Sequence, residues 1–293
     1  QVQLVGSSRA SLPLASGPGQ RARAPFRSIE DCCQVWLGSS STDSSRTSLR
    51  AMADYQHTAA AKYFGEFIGT YFLALTVGCN VLTDSIGAAL SIGAMLMVMI
   101  YAIGPVSGAH LNPAVTLAVL MSTMLRPKSP GMPLGPGVAA GYVGMQLLGG
   151  MFAGATYQAL FNSAFMFAPV GRYSWEQVCT VETLYTAALC YVVLNVATVK
   201  DWNPETLFET PKDANQSCGL SIGFTVTAAA LAIGGISGCC LNPAVSIGAA
   251  TATALHTGLR AASSYLLLYL ITPLFGSILA VGLFRVVRPR ATN

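Results

Sequence analysis

The stretch Ser107–Val115 reads Ser-Gly-Ala-His-Leu-Asn-Pro-Ala-Val, and it returns at Ser237–Val245 as Ser-Gly-Cys-Cys-Leu-Asn-Pro-Ala-Val. The copies differ only at their third and fourth positions. A single Asn-Pro-Ala says little, because an Asn cap before a first-turn Pro starts many ordinary helices. Two matched copies, each between long apolar segments, signal an internal duplication.

The local chemistry of each copy is readable. Pro113 and Pro243 fit the first helical position, where a missing N–H costs nothing. Asn112 and Asn242 are then N-caps, each carboxamide oxygen accepting a backbone N–H two or three residues on. Each side-chain NH2 is left over, with two donors free to point elsewhere. The apolar runs that follow, Ala114–Leu125 and Ala244–Leu255, are too short for a bilayer, which needs ~20 residues. They read as half-membrane helices. The non-helical backbone before them, at Gly108 and Gly238, is tolerated at membrane depth only inside protein or beside water. Two half-helices inserted from opposite sides aim their positive N-termini at one midplane point. That arrangement suits a neutral molecule with an acceptor oxygen and repels cations.

These motifs, Asn112-Pro113-Ala114 and Asn242-Pro243-Ala244, resemble those of the aquaporin (major intrinsic protein) family, over about residues 60–287. The resemblance implies an all-α membrane protein: six transmembrane helices plus two re-entrant half-helices in an inverted repeat. It further implies a homotetramer with one pore per subunit.

Composition agrees with the membrane reading. Mean hydropathy is +0.54 and charged residues make up 10% of the chain, too few to coat a soluble protein of this length. The eight Cys show no zinc-type pairs and sit mostly in apolar segments, which speaks against a disulfide framework. The net charge of +4 comes from scattered basic residues and gives nucleic-acid binding no support.

Residues 1–51 stand apart: Ser- and Arg-rich, acid-poor, without a long apolar run. Three readings compete: a disordered cytoplasmic tail, a targeting segment, or upstream sequence with Met52 as the start. Residues 52–293 then form the channel-like domain. Cys32-Cys33 offers acylation sites or is plain tail. Six apolar segments follow, at roughly 62–82, 86–106, 136–160, 177–199, 218–236 and 261–285. The two repeats span about 62–160 and 177–285. Gly65/Gly69, Gly150/Gly154 and Gly219/Gly223 have the spacing that lets helices approach closely in lipid.

With both termini in the cytoplasm, the inward segments hold Arg126, Lys128, Lys200, Lys212, Arg285, Arg288 and Arg290. The outward segments hold only Arg172 and Arg260, a bias that supports this orientation. The sequon Asn215-Gln-Ser217 then lies inside, unused. It sits in the polar stretch Lys200–Cys218, either a regulatory flap or a solvated connector.

Two acids interrupt the spans, Glu66 and Glu182. An intramembrane carboxylate is a functional hypothesis by default. A proton relay is one reading. The other, favoured by their equivalent places in the two repeats, is that each braces its re-entrant loop by accepting backbone N–H bonds. The resemblance implies the same buried structural role.

The resemblance also implies a selectivity filter at Ile92, Ala230, Cys239 and Val245. Water-selective members carry an Arg directly after the second Asn-Pro-Ala, with an aromatic residue and a His nearby. Here Val245, Ile92 and Ala230 stand in those places, so a fixed cation with five donors is replaced by apolar lining. Plant vacuolar-membrane water channels are similar in having Val there. Ser246 and Ala250 resemble the water-channel subgroup more than glycerol facilitators, while Tyr269-Leu270 fits neither cleanly.

Other chemistry is sparse. Gly135–Gly141 lacks the strand and spacing of a dinucleotide loop, and no cofactor follows from it. His57, His110 and His256 show no metal-ligand spacing. His110 either lines the channel mouth or packs within its loop. No nucleophile–base motif points to an enzyme. The resulting expectation is a passive channel in the lipid bilayer for water and small neutral solutes such as urea, ammonia, hydrogen peroxide or glycerol. A coupled transporter would need a carboxylate ion site near the midplane; a structural membrane protein would have a closed pore.

Overall fold

The computed structural model describes residues 57–125, 134–198, 217–263 and 265–288. Among them the chain forms helices α1 (Ala59–Leu82), α2 (Ala88–Ser107), α3 (Pro113–Met124), α4 (Pro136–Phe161) and α5 (Trp175–Ala197). After these come α6 (Cys218–Ser237), α7 (Pro243–Thr257), the single turn α8 (Leu259–Ala262) and α9 (Leu266–Val287). No strand occurs among the described residues. The residues 1–51, Cys32-Cys33, the sequon Asn and most of the polar stretch after α5 lie outside them, as do Arg126, Lys128, Lys200, Lys212 and Arg290.

The six long helices have 20 to 26 residues, enough at 1.5 Å per residue to cross a hydrocarbon core of ~30 Å. All six are also apolar enough to cross a membrane. Some boundaries differ from the sequence expectation by a few residues: α1 starts at Ala59 rather than near residue 62 and α2 at Ala88 rather than near 86, while two other starts have a visible local cause. α5 starts at Trp175 because Ser174 and Gln177 form a reciprocal capping box, the side chain of each meeting the other's backbone N–H. The last span starts at Leu266, not near residue 261, because α8 ends and the chain turns through Tyr265 at φ 54.

The half-helices are held by the opposite repeat. α7 packs against α4, and α3 against α9. Gly150 and Gly154 make the first contact possible: a Cβ on either would lie 2.0 or 2.1 Å from the carbonyl oxygens of Ala244 and Gly248. At the second contact Ser277 of α9 donates to the Ala114 carbonyl at 2.7 Å. Between repeats, α2 crosses α6 where Gly93 and Gly223 meet; a Cβ on either would lie within 2.6 Å of the other's carbonyl. In lipid, where apolar association has no solvent drive, such backbone-to-backbone contact supplies the packing. Gly65, Gly69 and Gly219 also face close neighbours: Ile103, Leu111 and Tyr101.

Candidate functional site

α2 and α6 end in the same loop. Gly108 and Gly238 take φ 91 and 80, a left-handed turn that glycine alone adopts freely. Ala109 and Leu111, then Cys239 and Leu241, follow at φ between 47 and 53. A non-glycine residue in that region costs about 1–3 kcal/mol and persists only when its surroundings hold it.

A buried carboxylate meets the loop in each repeat. Glu66 Oε1 accepts from Ser107 Oγ at 2.6 Å and from the His110 N–H at 3.0 Å, and Oε2 accepts from the Leu111 N–H at 2.8 Å. Glu182 repeats the set with Ser237 Oγ, Cys240 N–H and Leu241 N–H at 2.6, 3.0 and 2.8 Å. The serine hydroxyls also accept from the Ala109 and Cys239 N–H groups. Tyr142 and Tyr269 donate to the Ser107 and Ser237 carbonyls. The loops' backbone donors are thereby satisfied within the protein.

Asn112 and Asn242 then take extended backbone and cap α3 and α7, their Oδ1 atoms accepting from the Ala114 and Ala244 N–H at 2.8 and 2.9 Å. The sequence suggested two free donors on each side-chain NH2, but neither amide nitrogen keeps both. Asn112 Nδ2 donates to the Leu241 carbonyl and Asn242 Nδ2 to the Leu111 carbonyl, each at 2.9 Å. The left-handed twist at Leu111 and Leu241 turns those carbonyls across the interface, so one donor of each NH2 locks the two loops together. One donor per Asn remains.

Both Asn residues border a cavity of about 1140 Å3. Its wall includes α1 residues from Ala59 to Val81, which at 1.5 Å per residue spans roughly 33 Å, the depth of a bilayer core. Ile92, Ala230, Cys239 and Val245 all border it. His110 borders the cavity, and its ring packs edge-on to Tyr142 with centroids 5.3 Å apart. Glu66 and Glu182 are fully buried behind the loops. Among the described residues no cluster of His, Cys, Asp or Glu could hold a metal ion.

Sequence comparison decides the family. The profile of the major intrinsic protein family matches residues 53–284. The chain belongs to that family. Aquaporin NIP1-3 of Oryza sativa subsp. japonica is 33% identical over 242 residues, covering 78% of this chain and 74% of its own. The glycerol uptake facilitator protein-like 6 of Lactiplantibacillus plantarum is 29% identical, covering 77% of this chain and 97% of its own. In fold, the chain is similar to the aquaglyceroporin of Plasmodium falciparum known from X-ray structure, with a TM-score of 0.64 at 22% identity over 80% of this chain and 99% of that one. Major intrinsic proteins are passive channels, not enzymes, and this member is one for water and small neutral solutes.

Several site residues escaped the sequence reading. Gln146, buried in α4, donates to Glu66 Oε2 and to Thr116 Oγ1. A lone Gln in an apolar span was the available signal. Tyr142, Tyr269, Ser107 and Ser237 act through carbonyl and hydroxyl contacts that only the folded loops define.

Proposed function

We propose that water and small neutral solutes cross in the cavity between the two loops, that Asn112 and Asn242 are its midplane donors, and that Ile92, Ala230, Cys239 and Val245 form its filter. The observation that carries this reading is the reciprocal Asn clasp, which leaves one N–H on each Asn beside a cavity of bilayer depth. A permeating oxygen accepts from both donors with little loss. A cation meets two positive helix ends and loses several to ~20 kcal/mol of hydration before compensation. Water held by both donors turns its hydrogens outward, so the chains on either side have opposite orientation and a proton wire is interrupted.

The carboxylates support a channel over a coupled transporter. Both oxygens of Glu66 and of Glu182 accept loop donors, which leaves them unsuited to a transported ion. The filter offers aliphatic carbon and one thiol, with no fixed cation, and fits solutes bulkier than water. The glycerol facilitator among the relatives supports the same breadth. In our reading Glu66 and Glu182 brace the loops, residues 52–293 form the channel domain, both termini face the cytoplasm, and four copies assemble with one pore each. Exposed apolar side chains such as Phe64, Phe152, Leu231 and Phe275 suit contact with lipid and with neighbouring copies.

The test is a solute-by-solute swelling series in proteoliposomes. Fast water flux without an ion gradient, with measurable urea or glycerol flux, is the expected result. Flux that requires an ion gradient overturns the proposal.

A further inference from the structure

The repeats diverge around one histidine. In the first, Gln146 Nε2 lies 2.8 Å from Glu66 Oε2 and 2.9 Å from Thr116 Oγ1. Thr116 Oγ1 also lies 3.1 Å from the Asn112 carbonyl oxygen, 3.4 Å from Gln146 Oε1 and 3.2 Å from His110 Nδ1. In the second repeat, Cys240 and Ser246 stand where His110 and Thr116 stand in the first, and the buried Ser246 hydroxyl has no protein partner. A chain of hydrogen bonds from a buried carboxylate to a histidine bordering the cavity exists on one side only.

Counting protons assigns the ring. A hydroxyl donates one hydrogen and accepts two. Gln146 must aim its NH2 at Glu66, since the opposite turn would set its carbonyl oxygen against a carboxylate. Thr116 therefore accepts from Gln146. Its own proton faces the Asn112 carbonyl at 3.1 Å and Gln146 Oε1 at 3.4 Å, and neither oxygen can donate. Spending that proton on His110 Nδ1 would leave both contacts as lone pair against lone pair. Placing it on the Asn112 carbonyl makes Nδ1 the donor instead.

We propose that Thr116 and Gln146 are positioning residues that hold His110 in its Nδ1–H tautomer, so that a bare Nε2 acceptor faces the channel. Nε2 lies beside Gly108, where a Cβ would approach it to 3.5 Å, and both residues line the cavity. The assignment rests on reading the cavity as the permeation path. The Asn pair turns water hydrogens outward; Nε2 accepts such a hydrogen one step along. The water chain on that side then keeps the orientation set at the midplane, whereas an Nε2–H would oppose it.

The test uses the full chain in lipid bilayers, with His57→Gln and His256→Gln so that His110 is the remaining histidine, ring-labelled with 15N. Solid-state NMR above neutral pH should show a protonated Nδ1 and a bare Nε2. Thr116→Ser should keep that signature and the water flux. Thr116→Val should move the proton to Nε2 and lower water permeability about fivefold, the factor lost with one ordinary hydrogen bond at the barrier. A protonated Nε2 in the parent protein, or an unchanged spectrum in Thr116→Val, overturns the inference. Swelling of the same vesicles separates the two readings: fast flux with a protonated Nε2 defeats the tautomer alone, and no flux above lipid background defeats the permeation path.

Discussion

Gly150→Ala should disable the channel although it adds one methyl group to a residue that does not border the cavity. The new Cβ would lie 2.0 Å from the Ala244 carbonyl oxygen, where ordinary contact begins near 3.4 Å. The obstacle is backbone, so no side chain can swing aside. Either α4 or α7 must move by roughly 1.4 Å, and overpacking of this kind costs typically 1–3 kcal/mol. α7 begins one residue after Asn242, whose Nδ2 reaches the Leu111 carbonyl at 2.9 Å. A shift of that size along the bond takes it beyond hydrogen-bond range, and the steep distance dependence ends the clasp. Gly144→Ala is the matched control: same helix, same substitution, and no atom within 4 Å of the added Cβ. It should stabilise α4 by about 0.5–1 kcal/mol through backbone entropy. Thermal unfolding in detergent and stopped-flow shrinkage of proteoliposomes read both effects. Equal melting temperatures and equal water permeability in the two variants would refute the claim that α7 is held by backbone contact at Gly150.

Three further outcomes follow from the site. Val245→Arg should lower urea and glycerol flux more than water flux, because it puts a long cation into an aliphatic filter; an unchanged flux ratio in the swelling series removes Val245 from the filter. Mercurials should inhibit through Cys239, which is partly exposed and borders the cavity, and Cys239→Ser should remove most inhibition. Cys240 is buried and donates its thiol to the Asn242 carbonyl, so equal sensitivity in Cys239→Ser would mean that the wrong thiol has been chosen. Glu66→Gln and Glu182→Gln should each turn an NH2 toward loop donors, leave at least one buried N–H or hydroxyl unpaired at about 1–3 kcal/mol, and reduce water flux; wild-type melting and flux in both would show that the loops hold themselves.

Much of the architecture was legible in the chain. The repeated stretch marks both places where a helix restarts within the membrane, and each Pro sits at its first position, as in Pro113–Met124 and Pro243–Thr257. Six apolar runs sit within a few residues of the observed spans. Glu66 and Glu182 could be paired because they occupy matching places before matching loops. What stayed hidden depends on contacts distant in sequence. Local pattern does not announce that Ala109, Leu111, Cys239 and Leu241 adopt left-handed backbone, since none is a residue that favours it. The clasp follows from that twist, which is why the Asn amides looked doubly free. The spacing of Gly150 and Gly154 pointed to close packing, but not to which carbonyls they would meet. The start of α5 was misplaced although Ser174-Trp-Glu-Gln177 carries a capping-box pattern.

The central claim is that a neutral-only path runs past the Asn pair. The most direct measurement follows water efflux and proton entry together, in proteoliposomes carrying a pH dye and stepped into hyperosmotic buffer. The account predicts shrinkage far faster than in empty vesicles, with no ion gradient and with proton entry equal to the lipid background. Shrinkage no faster than in empty vesicles, or a proton flux that rises with the protein content, would contradict it.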